Sequence, residues 1–213
     1  MQTISVLRMT ELKERILTEA ECLFCHYGIK SITMDDIAKH LGISKKTIYQ
    51  HFSDKNELVR IQIKNMMDRQ QCLLNNNTDA AENPVHEVFL AVTHIQVLLS
   101  KMNPALFYDL QKYHPEAWQE FKNFRDKYLL ECIQSNLKRG IEEGYYREEI
   151  DINILSRLRV QQIDMIFNKQ AFPAAEFNLS EVMRLITEHF LYGICNSEGN
   201  KLIYKYKHIN EEE

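Results

Sequence analysis

The sequence has little glycine and proline, with six and four residues among 213. Runs that alternate apolar and polar residues between turn signals, the pattern of half-buried strands, are also missing. Apolar residues instead recur at helical spacing, and hydrophobic residues make up 45% of the chain, which is enough for a substantial core. We therefore expect an all-α protein of about nine helices.

Long apolar runs are absent as well. Even residues 88–99 are interrupted by Thr93, His94 and Gln96, so no segment is expected to cross a bilayer. The opening residues lack the cationic start and apolar centre of a secretory signal. The five cysteines are an odd number, so we expect reduced thiols in a cytoplasmic protein.

Positive charge is scarce overall, because the formal net charge is −4. Its distribution is uneven. Residues 1–53 carry seven bases and six acids, whereas the remainder carries 19 bases and 24 acids. Between Lys39 and Lys55 four lysines occur with a single acid, Asp54, and this local excess is typical of a phosphate-binding surface.

Residues 31–55, SITMDDIAKHLGISKKTIYQHFSDK, predict two short helices joined by a glycine turn. Thr33 and Ser44 are suitable N-caps, and Gly42 suits the turn between the helices. Ile48 and Phe52 are the large inward residues of the second short helix. Its remaining residues form a polar and cationic face suited to a nucleic-acid groove: Ser44, Lys45, Lys46, Thr47, Tyr49, Gln50 and His51.

The flanking sequence predicts further helices over residues 10–27, 55–75, 84–101, 104–112, 115–143, 151–170 and 178–194. Pro84, Pro104 and Pro115 follow capping residues and mark helix starts. The composition of residues 75–83 indicates a loop. We expect a flexible tail over residues 197–213, although Leu202–Tyr204 could instead extend a dimer contact. The broad apolar faces of the last two predicted helices suit either a four-helix dimer interface or packing within one subunit.

Residues 24–58 resemble the TetR family of bacterial transcriptional regulators. The residues that carry the resemblance are Phe24, Gly28, Thr33, Ile37-Ala38, Leu41–Ser44, Thr47–Tyr49, His51-Phe52, Lys55 and Glu57-Leu58. A weaker similarity follows at Gly140-Ile141, Gly144-Tyr145 and Asp151. Lys46 departs from the family pattern, in which small residues are common, and adds charge at the groove.

The resemblance implies an all-helical homodimer with a small-molecule cavity, in which the ligand relieves repression. A dimer presents two recognition helices and therefore predicts a pseudo-palindromic operator. Since no residue pattern indicates catalysis, we expect no catalytic site and no cofactor. The resemblance also implies a helix-turn-helix DNA-binding domain at residues 1–54, an effector-binding and dimerisation domain at 55–196, and dimerisation through the last two helices. Matching the motif makes Lys45, Lys46, Tyr49 and Gln50 candidates for base contacts, and Thr33, Ser44, Thr47, His51 and Lys55 candidates for phosphate contacts.

Aromatic residues in the second domain favour a hydrophobic or aromatic effector, although such residues more often belong to a core. The candidate pocket residues are Phe89, His94, Phe107, Tyr108, Trp118, Phe121, Phe124, Tyr128 and Gln162.

Residues 22–26 match the C-x-x-C-H pattern of covalent haem attachment. Leu23 and Phe24 are predicted to face the core of the first helix, so haem or metal binding there is disfavoured. Two alternatives to a ligand-responsive repressor stay open: a helix-turn-helix adaptor, and a regulator that senses oxidation through Cys22 and Cys25. No other pattern indicates a metal site or an enzyme.

Overall fold

The computed structural model describes the backbone of residues 2–168, 170–173 and 175–212, and the side chains of this set from residue 10 to residue 207. The fold is all-α, as predicted. A π-helical segment spans Phe124–Leu129. The helices are α1 Gln2–Tyr27, α2 Met34–Leu41, α3 Lys45–Tyr49, α4 Lys55–Ala80, α5 Pro84–Lys101, α6 Ala105–Tyr113, α7 Pro115–Asn123, α8 Leu130–Glu142, α9 Ile152–Ile166, α10 Leu179–Ile194 and α11 Ser197–Glu212.

Local capping explains most of the helix starts. The Asp151 carboxylate accepts the Ile154 amide at 3.0 Å, and the Asn178 side chain accepts the Ser180 amide at 2.9 Å. Pro84 and Pro115 begin helices, and Pro104 directly precedes α6. These prolines lie where a missing amide hydrogen leaves no helical hydrogen bond unmade, so their predicted role is confirmed.

Two predicted segments are wrong. Residues 75–80 were predicted to be a loop, but they form the last part of α4. Tertiary contacts stabilise this part of the helix, because Asn77 is buried, Asn75 accepts a hydrogen bond from Tyr128 at 2.5 Å and Thr78 donates one to Glu87 at 2.8 Å. The predicted continuous helix 115–143 contains the π-helical segment. There the Arg125 guanidinium pairs with Asp164 of α9 and, at 2.6 Å, with Asp126.

The chain divides into two compact units. Unit 1 comprises residues 1–67 and 101–121, and unit 2 comprises residues 68–100 and 122–213. The predicted boundary after residue 54 therefore differs from the observed division. Hydrogen bonds explain why α6 belongs with α1: the Asn103 amide donates to Cys25 O at 2.6 Å, and Asp109 Oδ2 accepts the Lys30 amide at 2.8 Å.

The core of unit 2 includes residues that were predicted to be a flexible tail. Ile203 and Tyr206 of α11 are buried with Phe190, Leu191 and Ile194 of α10. The Tyr206 hydroxyl also bonds Asn83 and Glu82, at 2.8 and 2.9 Å. The tail prediction is wrong for residues 197–207, because Gly199, Ile203 and Tyr206, four and three residues apart, form a buried helical face.

Unit 1 contains a buried histidine from which a pH effect is expected. His114 Nδ1 lies 2.7 Å from Asn56 Oδ1, and burial lowers the pKa of His114 below 6.5, with the positive charge of Lys55 adding to the shift. The folded state therefore binds fewer protons at this site than the unfolded state. The contribution of His114 to the free energy of unfolding should be at its maximum above pH 6.5 and should decrease as the pH falls below that value.

Scanning calorimetry between about pH 7.5 and about pH 5.5 tests this expectation. The melting temperature of the wild type should fall more steeply on acidification than that of His114→Gln. His94→Gln, a substitution at an exposed histidine, should follow the wild-type curve. Parallel curves for wild type and His114→Gln would show that His114 does not carry the effect.

Candidate functional site

The turn between α2 and α3 is fixed by hydrogen bonds and by one glycine. Thr33 Oγ1 accepts the Asp36 amide at 3.2 Å, and Asp36 Oδ2 accepts the Thr33 amide at 2.9 Å, which makes a reciprocal capping box. The Thr33 hydroxyl donates to Asp36 Oδ2 at 2.6 Å, and this bond, followed by the bond from the Thr33 amide, lowers the pKa of the Asp36 carboxyl. Gly42 ends α2 with a φ of +67°, a conformation that side chains disfavour. The two helices are consequently joined in one defined geometry.

The position of α3 is set by a cap at its start and an apolar anchor on its inner side. Ser44 Oγ accepts the Thr47 amide at 3.1 Å, and Ile48 and Phe52 are buried. Lys45, Lys46, Tyr49 and Gln50, the four predicted base-contacting residues, are exposed, with Tyr49 45% accessible. The inward and outward sides of α3 agree with the sequence prediction.

The charges around α3 are partly paired within the protein. Lys45 Nζ donates to Asp35 Oδ2 at 2.8 Å, and this bond raises the pKa of Lys45. Both side chains are about half exposed. Exposed pairs of this kind contribute little net stability, so Asp35 does not commit Lys45 to one geometry.

The predicted phosphate-contacting residues occupy different environments. Thr33 and Ser44 are exposed but use their hydroxyls as caps, while Thr47 and His51 are half-buried. Lys55 points inward: its Nζ donates to Ile29 O at 2.5 Å and lies 5.8 Å from the Phe24 ring centre. Burial lowers the pKa of Lys55. A phosphate contact by Lys55 is therefore not supported by this structure, in which its ammonium group joins the ends of α1 and α4.

Unit 2 contains a cavity of about 170 Å³. Its walls come from α5, α10 and α11, and the lining residues are Phe89, Val92, Gln96, Arg184, Thr187, Glu188, Leu191 and Lys207. Phe89 is the member of the predicted pocket that lines this cavity. The other lining residues were missed, because no linear pattern marks side chains that meet from three helices.

The remaining predicted pocket residues do not share this cavity. Phe107, Trp118 and Phe121 form an aromatic cluster in unit 1, with ring centres 5.3 Å apart for Phe107–Phe121 and 5.0 Å for Trp118–Phe121. Tyr108 of unit 1 is exposed. In unit 2, His94 is exposed and Phe124 stacks on Tyr128 at 5.8 Å. The aromatic cluster of unit 1 is core packing within that unit.

Gln162 of unit 2 is half-buried, and its Oε1 atom is buried without a hydrogen-bond partner among the described residues. It lies on α9, one turn after the buried Arg159. The structure therefore leaves Gln162 a candidate for polar recognition, although it does not line the cavity.

Residues 22–26, the C-x-x-C-H sequence, lie within α1. Cys22 is exposed, Cys25 is half-buried, and neither is part of a disulfide. The described side chains contain no group of three or more histidine, cysteine or acidic residues arranged to hold a metal ion. Across the described helices, none has the length and apolar character that a membrane span requires.

Comparison with known proteins agrees with this geometry. Residues 16–60, from α1 to the start of α4, match the family model described as bacterial regulatory proteins, tetR family. This segment of the chain is therefore similar to the DNA-binding domain of the TetR family. The chain thus contains the helix-turn-helix of DNA-binding regulators, and the capped turn with its exposed α3 is the part of the structure that the family model covers.

Relatives extend the similarity beyond this domain. The chain is 23% identical over 199 residues to the transcriptional repressor KstR2 of Mycolicibacterium smegmatis, covering 89% of this chain and 93% of that protein. A TetR-family regulator from Agrobacterium tumefaciens has the same fold, with a TM-score of 0.73, 15% identity, and coverage of 88% of this chain and 100% of that chain.

A third similar protein is Bacillus subtilis FadR, which was solved in complex with stearoyl-CoA. Its TM-score is 0.64 at 18% identity, and the match covers 85% of this chain and 98% of that chain. At these identities the solved structures establish a common fold.

Proposed function

We propose that this chain is a ligand-responsive repressor of the TetR family that binds a pseudo-palindromic operator as a homodimer. The observation that carries the proposal is the fixed, exposed polar face of α3. Lys46, Tyr49 and Gln50 extend from a helix whose opposite side is anchored by the buried Ile48. Side chains held in this way can contact base edges in a major groove.

Lys45 would join this surface by exchanging Asp35 for a DNA phosphate. The exchange should cost little free energy, because the Lys45–Asp35 pair is solvent-exposed and the new phosphate contact replaces it. Thr33, Ser44, Thr47 and His51 are retained as candidate phosphate contacts at the edges of the same surface.

The homodimer is supported by apolar side chains exposed on α9 and α10. Ile154, Leu158 and Met165 are four and seven residues apart on α9, and Leu185 and Tyr192 are seven apart on α10. Each set therefore lies along one helical face. Two copies could bury these faces in a four-helix interface. Such a dimer would place two α3 helices on half-sites about 34–36 Å apart.

Regulation by a small molecule is supported by the cavity in unit 2 and by the acyl-CoA complex of the similar protein FadR. Phe89, Val92 and Leu191 give the cavity apolar walls, in keeping with a hydrophobic or aromatic effector. We assign the effector to this cavity and not to the aromatic cluster of unit 1, whose rings pack on one another.

Selection of bound sequences from a random DNA pool tests the function directly. The selected sites should contain inverted repeats with centres about one helical turn apart. Selection of unrelated sequences with no repeat would instead favour an adaptor with a helix-turn-helix. Loss of binding after treatment with peroxide, prevented by Cys22→Ser or Cys25→Ser, would favour the thiol-sensing alternative.

The role of α3 gives a further prediction. Tyr49→Ala should weaken binding of the selected operator by about tenfold, because a major-groove contact contributes about 1–3 kcal/mol. Its melting temperature should stay near that of the wild type, since the Tyr49 side chain is exposed. Mobility-shift titration and a melting curve measure the two effects.

Tyr108→Ala provides the matched control, because Tyr108 is another exposed tyrosine of unit 1 that lies outside the helix-turn-helix. It should bind the operator with wild-type affinity. Equal affinities for wild type and a well-folded Tyr49→Ala protein would remove Tyr49 from the interface.

A further inference from the structure

Arg159 of α9 is a buried cation without a carboxylate partner among the described residues. Only 6% of the surface of Arg159 is exposed. Nη2 donates to Thr187 Oγ1 at 2.5 Å, and the guanidinium carbon lies 5.2 Å from the Phe190 ring centre. Nη1 is buried and has no hydrogen-bond partner in the described part of the chain.

This arrangement is unusual for a structural arginine. Burial lowers the pKa of Arg159 to about 10, so the guanidinium is still protonated at neutral pH. Buried charges are normally paired, because the loss of hydration must be compensated by an opposite charge. A hydroxyl and an aromatic face compensate only part of this cost, which leaves Arg159 short of an anion.

The neighbouring basic residues contrast with Arg159. Arg184 pairs with Glu181 and Glu188, and Lys207 pairs with Glu188 at 3.0 Å. Arg184, Glu188 and Lys207 line the cavity of unit 2. Together with Glu181, which is not part of the lining, they make two positive and two negative charges that pair with one another. Among the described residues, Arg159, which bonds Thr187 of this wall, is a buried base without a carboxylate partner.

Thr187 connects Arg159 to the cavity. Its side chain lines the cavity, and its hydroxyl accepts the Arg159 bond while donating to Met183 O at 2.7 Å. Phe89, Val92 and Leu191 make up the apolar part of the lining. A ligand lying against Thr187 would therefore have the positive charge of Arg159 near one end and apolar side chains around the rest of its surface.

We propose that unit 2 binds a small carboxylic acid whose carboxylate pairs with the Arg159 guanidinium beside Thr187 and whose apolar part fills the cavity. A guanidinium matches a carboxylate in charge and in planar hydrogen-bond geometry. A cavity of about 150 Å³ accommodates benzene, so the 170 Å³ here suits a single ring or a short alkyl chain. The inference deepens the proposed function, on which it rests, by naming the effector class.

Calorimetric titration of the full chain with two matched pairs, benzoate with benzamide and hexanoate with hexanamide, tests the proposal. In the wild type, at least one of the two acids should bind more tightly than its own amide, by a factor of about ten or more. The reason is that a neutral amide cannot compensate the buried positive charge of Arg159. Arg159→Met should lose this preference, and it should melt no lower than the wild type because an uncompensated buried charge has been replaced by an apolar side chain.

Two further variants keep the result interpretable. Arg159→Lys retains the charge and should retain a preference for the acid over the amide, even where Arg159→Met folds poorly. Arg157→Met removes an exposed arginine from the same helix and should bind the acids as the wild type does.

Several outcomes would overturn the proposal. They are the absence of binding by all four compounds, equal binding of acids and amides, and an unchanged acid preference in Arg159→Met. A phosphate ion that binds as tightly as the acids would show a simple anion site instead. Dimer dissociation in Arg159→Met would show that Arg159 pairs across the subunit interface. If selected operators are bound and a neutral effector releases them, the proposed function stands while this inference fails.

Discussion

Leu185→Glu is expected to convert the protein into a monomer and to weaken operator binding by about a hundredfold or more. Leu185 is 51% exposed on α10, on the same face as Tyr192, and α9 exposes Ile154, Leu158 and Met165. If these faces form the dimer interface, two glutamates would be buried in it without cationic partners. Desolvation of those carboxylates opposes association.

The loss of affinity follows from the loss of linkage between two DNA-binding units. In a dimer, binding of one α3 holds the second near its half-site, and this effective concentration raises overall affinity by about 10²–10⁴. A monomer must bind each half-site independently. Size-exclusion chromatography with light scattering measures the oligomeric state, and mobility-shift titration measures operator affinity.

Val97→Glu is the matched control, because Val97 is 52% exposed on α5 and lies outside the α9 and α10 faces. It should leave both the oligomeric state and operator affinity unchanged. A Leu185→Glu protein that elutes as a dimer with wild-type affinity would place the interface elsewhere.

Gly140→Ala is expected to destabilise the protein by about 3–5 kcal/mol, through overpacking and the disruption of buried hydrogen bonds. A Cβ atom at residue 140 would lie 2.0 Å from Cδ2 of the Tyr146 ring. Tyr146 is almost completely buried, so the ring has no free space into which it can move.

Hydrogen bonds hold Tyr146 in this position. Its hydroxyl lies 2.9 Å from Asn136 Oδ1 and 3.1 Å from Pro84 O, and its amide donates to Gly140 O at 2.9 Å. Moving the ring would break the hydroxyl contacts and would leave polar groups buried without partners. Burial also raises the pKa of Tyr146 well above its ordinary value, so the hydroxyl stays neutral and able to donate.

Urea unfolding measures the loss of stability, and Gly193→Ala supplies the control. A Cβ atom at Gly193, within α10, would meet nothing within 4 Å. That substitution should be neutral or stabilising by up to about 1 kcal/mol, from the higher helix propensity of alanine. Gly140→Ala unfolding at the wild-type urea concentration would contradict the packing argument.

Sequence patterns predicted the local features of the DNA-binding element well. Thr33, Gly42 and Ser44 act where capping and turn preferences placed them, because these preferences depend on neighbouring backbone groups alone. Ile48 was predicted to be inward by helical spacing, and it is fully buried. The face of α3 opposite Ile48 could therefore be assigned without a structure.

Patterns failed where distant residues decide the outcome. The polar composition of residues 75–80 favoured a loop, but contacts with Tyr128 and Glu87 stabilise a helix there. Lys55 matched a family position, yet its ammonium group bonds Ile29 O. Arg159 was not singled out, although its spacing from Leu155 and Ile166 places a charged residue on the apolar face of α9.

The sequence by itself determined the helical class and the capped helix-turn-helix with its similarity to the TetR family, because helix periodicity, caps and turns are encoded over a few neighbouring residues. The tertiary structure alone decided that α6 belongs with unit 1, that α11 completes the core of unit 2, and that Thr187 connects a cavity to the buried Arg159. These features depend on side chains that meet across large separations in the chain. Their packing and pairing energies are settled only when the helices are assembled.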